Sequence, residues 1–342
     1  MPIPHDAASV GDPPLPRFVQ IEPVGQCNLR CRMCAIQFRR DGPPHGPPAF
    51  IDEALFRRLI EQFGPIEELQ LQGLGEPMMH PRFFEMVRFA AARGIKVSTN
   101  SNLTMLTSER ARHCVTSGLS AIHVSIDGAS RQTYEYIRPG ASLPKVLRNL
   151  RRLMEARRFL DSQTPHVRIV MVLMRRNLDE LADIVALAAQ HEVREVFVQR
   201  LCHDFTEATL PAHYAPMRAF IESETIDQED PLRVDAAFTA AADMAVRTGV
   251  QLRLPLAGRA HAPPAGRPRC SWPWHGAYVS YKGEAMPCCM VSTPDRAQLG
   301  SMADQDVVQV WRNNAYQSFR AALNSDEPPA ICRGCAVYRG EF

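Results

Sequence analysis

Three cysteines stand within eight residues in Cys27-Asn-Leu-Arg-Cys31-Arg-Met-Cys34, and five more crowd the last quarter of the chain: Cys270, the adjacent Cys288 and Cys289, and Cys332-Arg-Gly-Cys335. Thiolates are soft ligands that suit zinc or iron–sulfur clusters. A closed zinc site wants four of them. Three protein thiols leave one iron of a four-iron, four-sulfur cluster free for another ligand, an arrangement suited to catalysis. The distal group follows a different logic, a C-x2-C pair plus two distant thiols, and either zinc or a fully ligated cluster satisfies it. Two thiols stand apart. Cys114, in a helical pattern, is expected in the core, and Cys202 follows the last of the β-like runs, in Leu201-Cys202-His203-Asp204, where His203 and Asp204 are acid/base candidates by location only.

The elements that must position these groups are legible from periodicity. β-like runs at Phe18–Ile21, Glu68–Gln72, Ile95–Thr99, Ala121–Ile126, Val167–Leu173 and Glu195–Val198 alternate with helical patterns at Glu53–Phe63, Arg82–Arg93, Ser108–Ser117, Lys145–Leu160 and Leu178–Gln190. Asp52 is a candidate cap at the start of the first helix, and Gly94 and Gly118 stop the second and third. Six β/α repeats with short connections demand parallel strands joined by right-handed crossovers, as an open sheet or a partial barrel, with the chemistry at the C-terminal strand ends. An Ala-rich helix over Val234–Thr248 and a strand-like Val250–Leu254 follow. The Pro/Gly/Arg-rich Ala257–Arg269 reads as a linker, and Gly276–Met290 as a hairpin turning at Lys282-Gly283. Short helices are expected at Asp306–Asn313 and Tyr316–Leu323. The predicted organisation is a flexible segment 1–17, a core 18–200, a connection 201–269 and a cysteine-rich domain 270–342.

With these elements in place, the chain resembles the radical S-adenosylmethionine (AdoMet) enzymes, whose hallmark is C-x3-C-x2-C on the loop after strand 1 of a partial (β/α)6 barrel. Further motifs fall where that family places them. Gly73-Leu74-Gly75-Glu76-Pro77 after strand 2 is similar to the motif that holds the methionine amino group, and Ser98-Thr99-Asn100-Ser101-Asn102 ends strand 3. Ser125-Ile126-Asp127-Gly128 ends strand 4, and Arg138 follows where relatives bind the methionine carboxylate. The resemblance implies a four-iron cluster on Cys27, Cys31 and Cys34 and AdoMet contacts from Met33, Gly73, Gly75, Glu76, Ser98, Asn100, Ser125, Asp127 and Arg138. Met33 stands where relatives often have an aromatic residue, and its adaptable thioether can still pack against adenine. Glu76 and Arg138 supply the opposite charges an α-amino acid needs. Cys270, Gly283 and Cys288 form C-x12-G-x4-C, similar to the opening of the family's C-terminal extension, SPASM or its shorter twitch form. That implies one auxiliary four-iron cluster on Cys270, Cys288, Cys332 and Cys335. Adjacent residues of an extended strand face opposite ways, so only one of Cys288 and Cys289 should meet that cluster.

The resemblance further implies reductive cleavage of AdoMet and abstraction of a substrate hydrogen atom, with electrons from a donor such as flavodoxin or ferredoxin. Cys202 and Cys289 are candidate hydrogen donors. The expected substrate is a small carbohydrate-like molecule, a sugar, aminocyclitol or sugar nucleoside of antibiotic biosynthesis, ending in dehydrogenation, epimerisation or decarboxylation. The alternative is a maturase acting on a ribosomally made peptide. With 45% hydrophobic residues, 22% charged residues and a net charge of +2, nothing points to nucleic acid or membrane as partner. Residues 1–16 are proline-rich, without a basic start or long apolar run, so no signal peptide is expected. The predicted compartment is the cytoplasm, where disulfides are rare.

Overall fold

The computed structural model describes residues 13–40, 49–201, 205, 207–255 and 270–340. The first repeats are β1 (Phe18–Ile21), α1 (Glu53–Phe63), β2 (Glu68–Leu71), α2 (Phe83–Ala91), β3 (Lys96–Ser101) and α3 (Ser108–Thr116). Then come β4 (Leu119–Ser125), α4 (Arg131–Ile137), α5 (Leu143–Phe159), β5 (His166–Leu173), α6 (Leu181–Gln190) and β6 (Glu195–Arg200). Three of these helices start on side-chain caps: Asp52 accepts from Leu55 N–H, Thr107 from Arg110 N–H and Ser130 from Thr133 N–H.

The alternation runs one unit past the expected six. Behind α7 (Ala215–Glu224) and α8 (Pro231–Thr248), the short β7 (Gln251–Arg253) pairs with β6 in parallel. After the linker, which lies outside the described residues, come α9 (Trp272–His275), β8 (Gly276–Val279), β9 (Glu284–Met286) and β10 (Gly300–Ser301), then α10 (Val307–Trp311), α11 (Asn314–Leu323), α12 (Ala330–Arg333) and α13 (Ala336–Arg339). The hairpin turns at Gly283 as predicted. Its φ is +87° and a Cβ there would meet Ala303 N at 2.8 Å, so glycine is required twice over.

The ten strands among the described residues form one sheet in the order β10-β9-β8-β1-β2-β3-β4-β5-β6-β7. Strands β1 to β7 are parallel in sequence order, the signature of right-handed crossovers rolling into a partial barrel. β8 pairs in parallel with the free side of β1, so the cysteine-rich segment continues the barrel sheet. Alternate residues divide the layers. Val19, Leu69, Val97, Ile122, Ile169 and Val196 bury themselves under the helices, while Gln20, Asn100, His123 and Gln199 face the other way, into the barrel. Among the described residues no helix is long and apolar enough to cross a membrane.

Candidate active site

The loop after β1 carries Cys27, Cys31 and Cys34 and is pinned on both sides. Glu76 N–H donates to Gln26 O (3.0 Å), Arg32 N–H to Ile137 O (3.0 Å) and Cys34 N–H to Cys31 O (3.0 Å). Gly75 permits this approach: a Cβ there would lie 2.1 Å from Val24 O, backbone against backbone. Gly73 has a similar reason, since its Cβ would fall 2.3 Å from Glu22 Oε1. That carboxylate ends β1 fully buried. It accepts from Arg39 Nη1 (2.6 Å), Leu74 N–H (3.0 Å) and Tyr281 N–H (3.4 Å), joining the cysteine loop, the Gly-Leu-Gly-Glu loop and the C-terminal hairpin at one point.

Glu76 is itself 3% exposed and satisfied by three donors: Ser101 Oγ (2.7 Å), Asn102 N–H (2.8 Å) and Met78 N–H (3.2 Å). Burial pushes its carboxyl above the ordinary range, against the pull of those hydrogen bonds and of Arg138. Arg138 donates through Nε to Asp127 Oδ2 (2.6 Å) and through Nη1 to Cys31 Sγ (3.6 Å). Burial opposes its charge, but Asp127 and the other groups around it prevail and raise its pKa. Asp127, fully buried, accepts from Val172 N–H (2.8 Å) with its other oxygen.

These residues meet at one cavity of about 340 Å³ at the C-terminal ends of the strands. Of the residues expected at the site, Cys27, Cys31, Met33, Cys34, Gly73, Gly75, Glu76, Asn100, Ser125 and Arg138 line it. Asp127 and Ser98 are not among its lining: Asp127 lies behind Arg138, and Ser98 is one step deeper in β3 on the side of Asn100. Ser101 and Asn102, part of the motif but not singled out, do line the wall. Gln199, Arg200 and Met290 line it as well and carried no sequence signal, because their place depends on how β6 and the hairpin close the mouth. Cys202, His203 and Asp204 lie outside the described residues. Cys114 is 0% exposed in the core.

The donor set decides whether these residues suit a cluster. Among the described residues no group of three or more His, Cys, Asp or Glu side chains is arranged to hold a single metal ion. Burial raises all three thiols, Cys34 to about 12, so each thiolate needs nearby positive charge. Donors already point at the sulfurs: Leu29 N–H (3.4 Å) and Asn102 Nδ2 (3.7 Å) at Cys27, and Arg138 Nη1 at Cys31. Three soft thiols with hydrogen bonds aimed at sulfur suit an iron–sulfur cluster, whose irons deprotonate coordinating thiols.

The distal cysteines also converge. Burial raises the Cys288 thiol well above its ordinary value, and Cys289, Cys270, Cys335 and Cys332 surround it and raise it further. Cys335 N–H donates to Cys332 O (3.2 Å), and Trp274, Leu323 and Tyr338 pack round Cys270, Cys332 and Cys335. The backbone at Cys288 is extended, with φ −169° and ψ 172°. All four other distal cysteines, Cys289 included, lie near the Cys288 thiol, and Cys289, with Met290 and Ser292, also lines the main cavity.

Residues 21–188 match the radical SAM superfamily, and residues 270–336 match SPASM, an iron–sulfur cluster-binding domain. The chain thus carries a radical SAM domain of partial-barrel fold followed by a C-terminal SPASM domain. Those domains imply a four-iron cluster used with AdoMet, and auxiliary iron–sulfur cluster binding. The chain is 25% identical over 334 residues to an AdoMet-dependent heme synthase of Methanosarcina barkeri, covering 94% of this chain and 88% of that one. It is 28% identical over 167 residues to the mycofactocin maturase MftC of Mycolicibacterium smegmatis, covering 48% and 40%. Several curated relatives are matched over only about half of their own length, 51% and 54% in two cases. In fold it is similar to Streptococcus suis SuiB bound to the precursor peptide SuiA, with TM-score 0.65, 12% identity and coverage of 95% and 71%.

Proposed function

We propose that this chain cleaves AdoMet reductively and removes a hydrogen atom from a peptide substrate held in the cavity, with Cys27, Cys31 and Cys34 as cluster ligands. The observation that carries this reading is the shared cavity, which brings three thiols, the buried Glu76 and the Asp127-held Arg138 to one mouth. A reduced cluster with AdoMet supplies a carbon-centred radical able to break an unactivated C–H bond. The chain's residues bind and orient. Glu76 and Arg138 offer opposite charges for the amino and carboxylate groups of methionine, Asn100 and Ser125 offer polar contacts, and Met33 offers an apolar surface. Asp127 positions Arg138, and we assign Cys270, Cys288, Cys332 and Cys335 to an auxiliary cluster.

Peptide is favoured over carbohydrate by the far wall. Beyond the polar residues the cavity is lined by Val172, Leu201, Phe205, Met217, Ile221 and Met290, with Gln199 and Arg200 among them. A polyhydroxylated sugar would leave its hydroxyls unpaired against that surface, whereas an amino-acid side chain fits it. The maturase likeness supports the same choice. Incubation of the reconstituted enzyme with a precursor peptide encoded beside its gene should yield a mass change and 5'-deoxyadenosine. Turnover of an aminocyclitol or sugar nucleoside instead, with deuterium passing from labelled substrate into 5'-deoxyadenosine, would reverse the choice.

A further inference from the structure

A second indentation, a cleft of about 570 Å³, opens between the start of α3 and the first turns of α5. Four cations line it, Arg110, Lys145, Arg148 and Arg152, and no carboxylate does. Arg110 Nη1 donates to Met105 O (2.8 Å), and Arg152 Nη1 to Leu106 O (2.9 Å) and Asn149 Oδ1 (2.7 Å), so neutral acceptors hold both in place. Among the described residues none of the four forms an ion pair, although arginines elsewhere on the surface, such as Arg57, Arg131, Arg158 and Arg218, meet carboxylates. On a chain of net charge +2 this is a concentrated positive field.

The cleft lies directly behind the proposed catalytic cluster. Thr104, in its wall, accepts from Asn28 Nδ2 at 2.8 Å, and Asn28 is bonded to Cys27. Asn102 Nδ2 reaches both Asn28 Oδ1 (3.1 Å) and Cys27 Sγ (3.7 Å). One hydrogen bond and one peptide link therefore separate the cleft from a cluster ligand. Cleft and substrate cavity share no lining residue, so both can be engaged together.

We propose that this cleft docks an acidic one-electron carrier protein of the flavodoxin or ferredoxin class, which is oxidised by one electron as the cluster on Cys27, Cys31 and Cys34 is reduced. The inference rests on the reading of that cluster given above. Complementary charge speeds and orients such encounters and weakens with salt.

The test titrates an oxidised acidic flavodoxin into the holoenzyme by calorimetry at low and high salt. Lys145 and Arg148 are exposed, so the Lys145→Glu/Arg148→Glu protein should fold normally. It is expected to bind at least about tenfold more weakly, with a shallower salt dependence, while Arg247→Glu, at the end of α8, binds as wild type. Flavodoxin-driven formation of 5'-deoxyadenosine should fall in the double variant, and dithionite-driven formation should not. No binding by the wild type, unchanged binding by the double variant, or an equal loss in Arg247→Glu would overturn the docking site. Absence of dithionite-driven product in the wild type would instead count against the reading of the cluster, leaving the titration to decide the docking site.

Discussion

Glu22 shows what a single buried carboxylate does for this site. Its two oxygens serve Arg39, the Leu74 amide and the Tyr281 amide. Glu22→Ala should therefore cost about 3–5 kcal/mol, the usual scale for removing one partner of a buried ion pair, read as a lower denaturation midpoint in the apo-protein. Glu22→Gln, which keeps the shape, should lose less. His123, inside the barrel with Nδ1 2.8 Å from Asn100 Oδ1, titrates at about 4, held down first by burial and then by Arg168. Below an unfolded-state value near 6.5 the unfolded chain takes up a proton that the folded chain refuses, so stability falls between about pH 6.5 and 4. His123→Gln should flatten that part of the stability–pH curve. The cysteine triplet was legible because all three thiols fall within one eight-residue segment. Glu22 and Arg39 were not, and Asp127 and Arg138 were named singly but not as a pair, since these roles come from partners 11 to 259 residues away.

At the scale of elements, strands and long helices follow the predicted bounds closely because period-2 and period-3.6 patterns are local. The misses have physical reasons. α4 is seven residues long, mostly polar, and buries only Tyr134 and Ile137, too short to display a period. α7 falls in the connection 201–269, ahead of the Ala-rich helix, where no helix was expected, and buries only Met217, Ile221 and Glu224. Loop contacts at the site depend on glycine in a way that can be tested. Gly75→Ala drives a Cβ against Val24 O and Gln26 O, so the loop carrying Glu76 must shift away from the cysteines. A displacement of about an ångström can cost about a hundredfold in rate. The expected outcome is that loss in AdoMet cleavage with iron content retained, measured by product formation and iron assay on the same sample.

On the scale of the whole molecule, the sheet runs without a break from the hairpin strands through β1 to β7, so the two cysteine groups belong to one framework. Cys289 is both a neighbour of the Cys288 thiol, with Cys270, Cys332 and Cys335, and part of the cavity lining, bringing the proposed auxiliary cluster to the edge of the substrate space. The sequence displayed the hairpin and its cysteines but not this arrangement, because the pairing of β8 with β1 joins residues more than 250 positions apart. Cys332→Ala should lower iron from about eight to about four per chain while AdoMet cleavage persists at least in part, and unchanged iron would refute the ligand set. The central claim, that the Cys27, Cys31 and Cys34 loop with Glu76 and Arg138 forms an AdoMet-cleaving site, is tested most directly by one assay. Anaerobically reconstituted enzyme is mixed with AdoMet and dithionite, and 5'-deoxyadenosine is quantified. The wild type should form it and the Cys27→Ala/Cys31→Ala/Cys34→Ala protein should form none; an iron-loaded wild type without product, or a variant that retains it, would contradict the account.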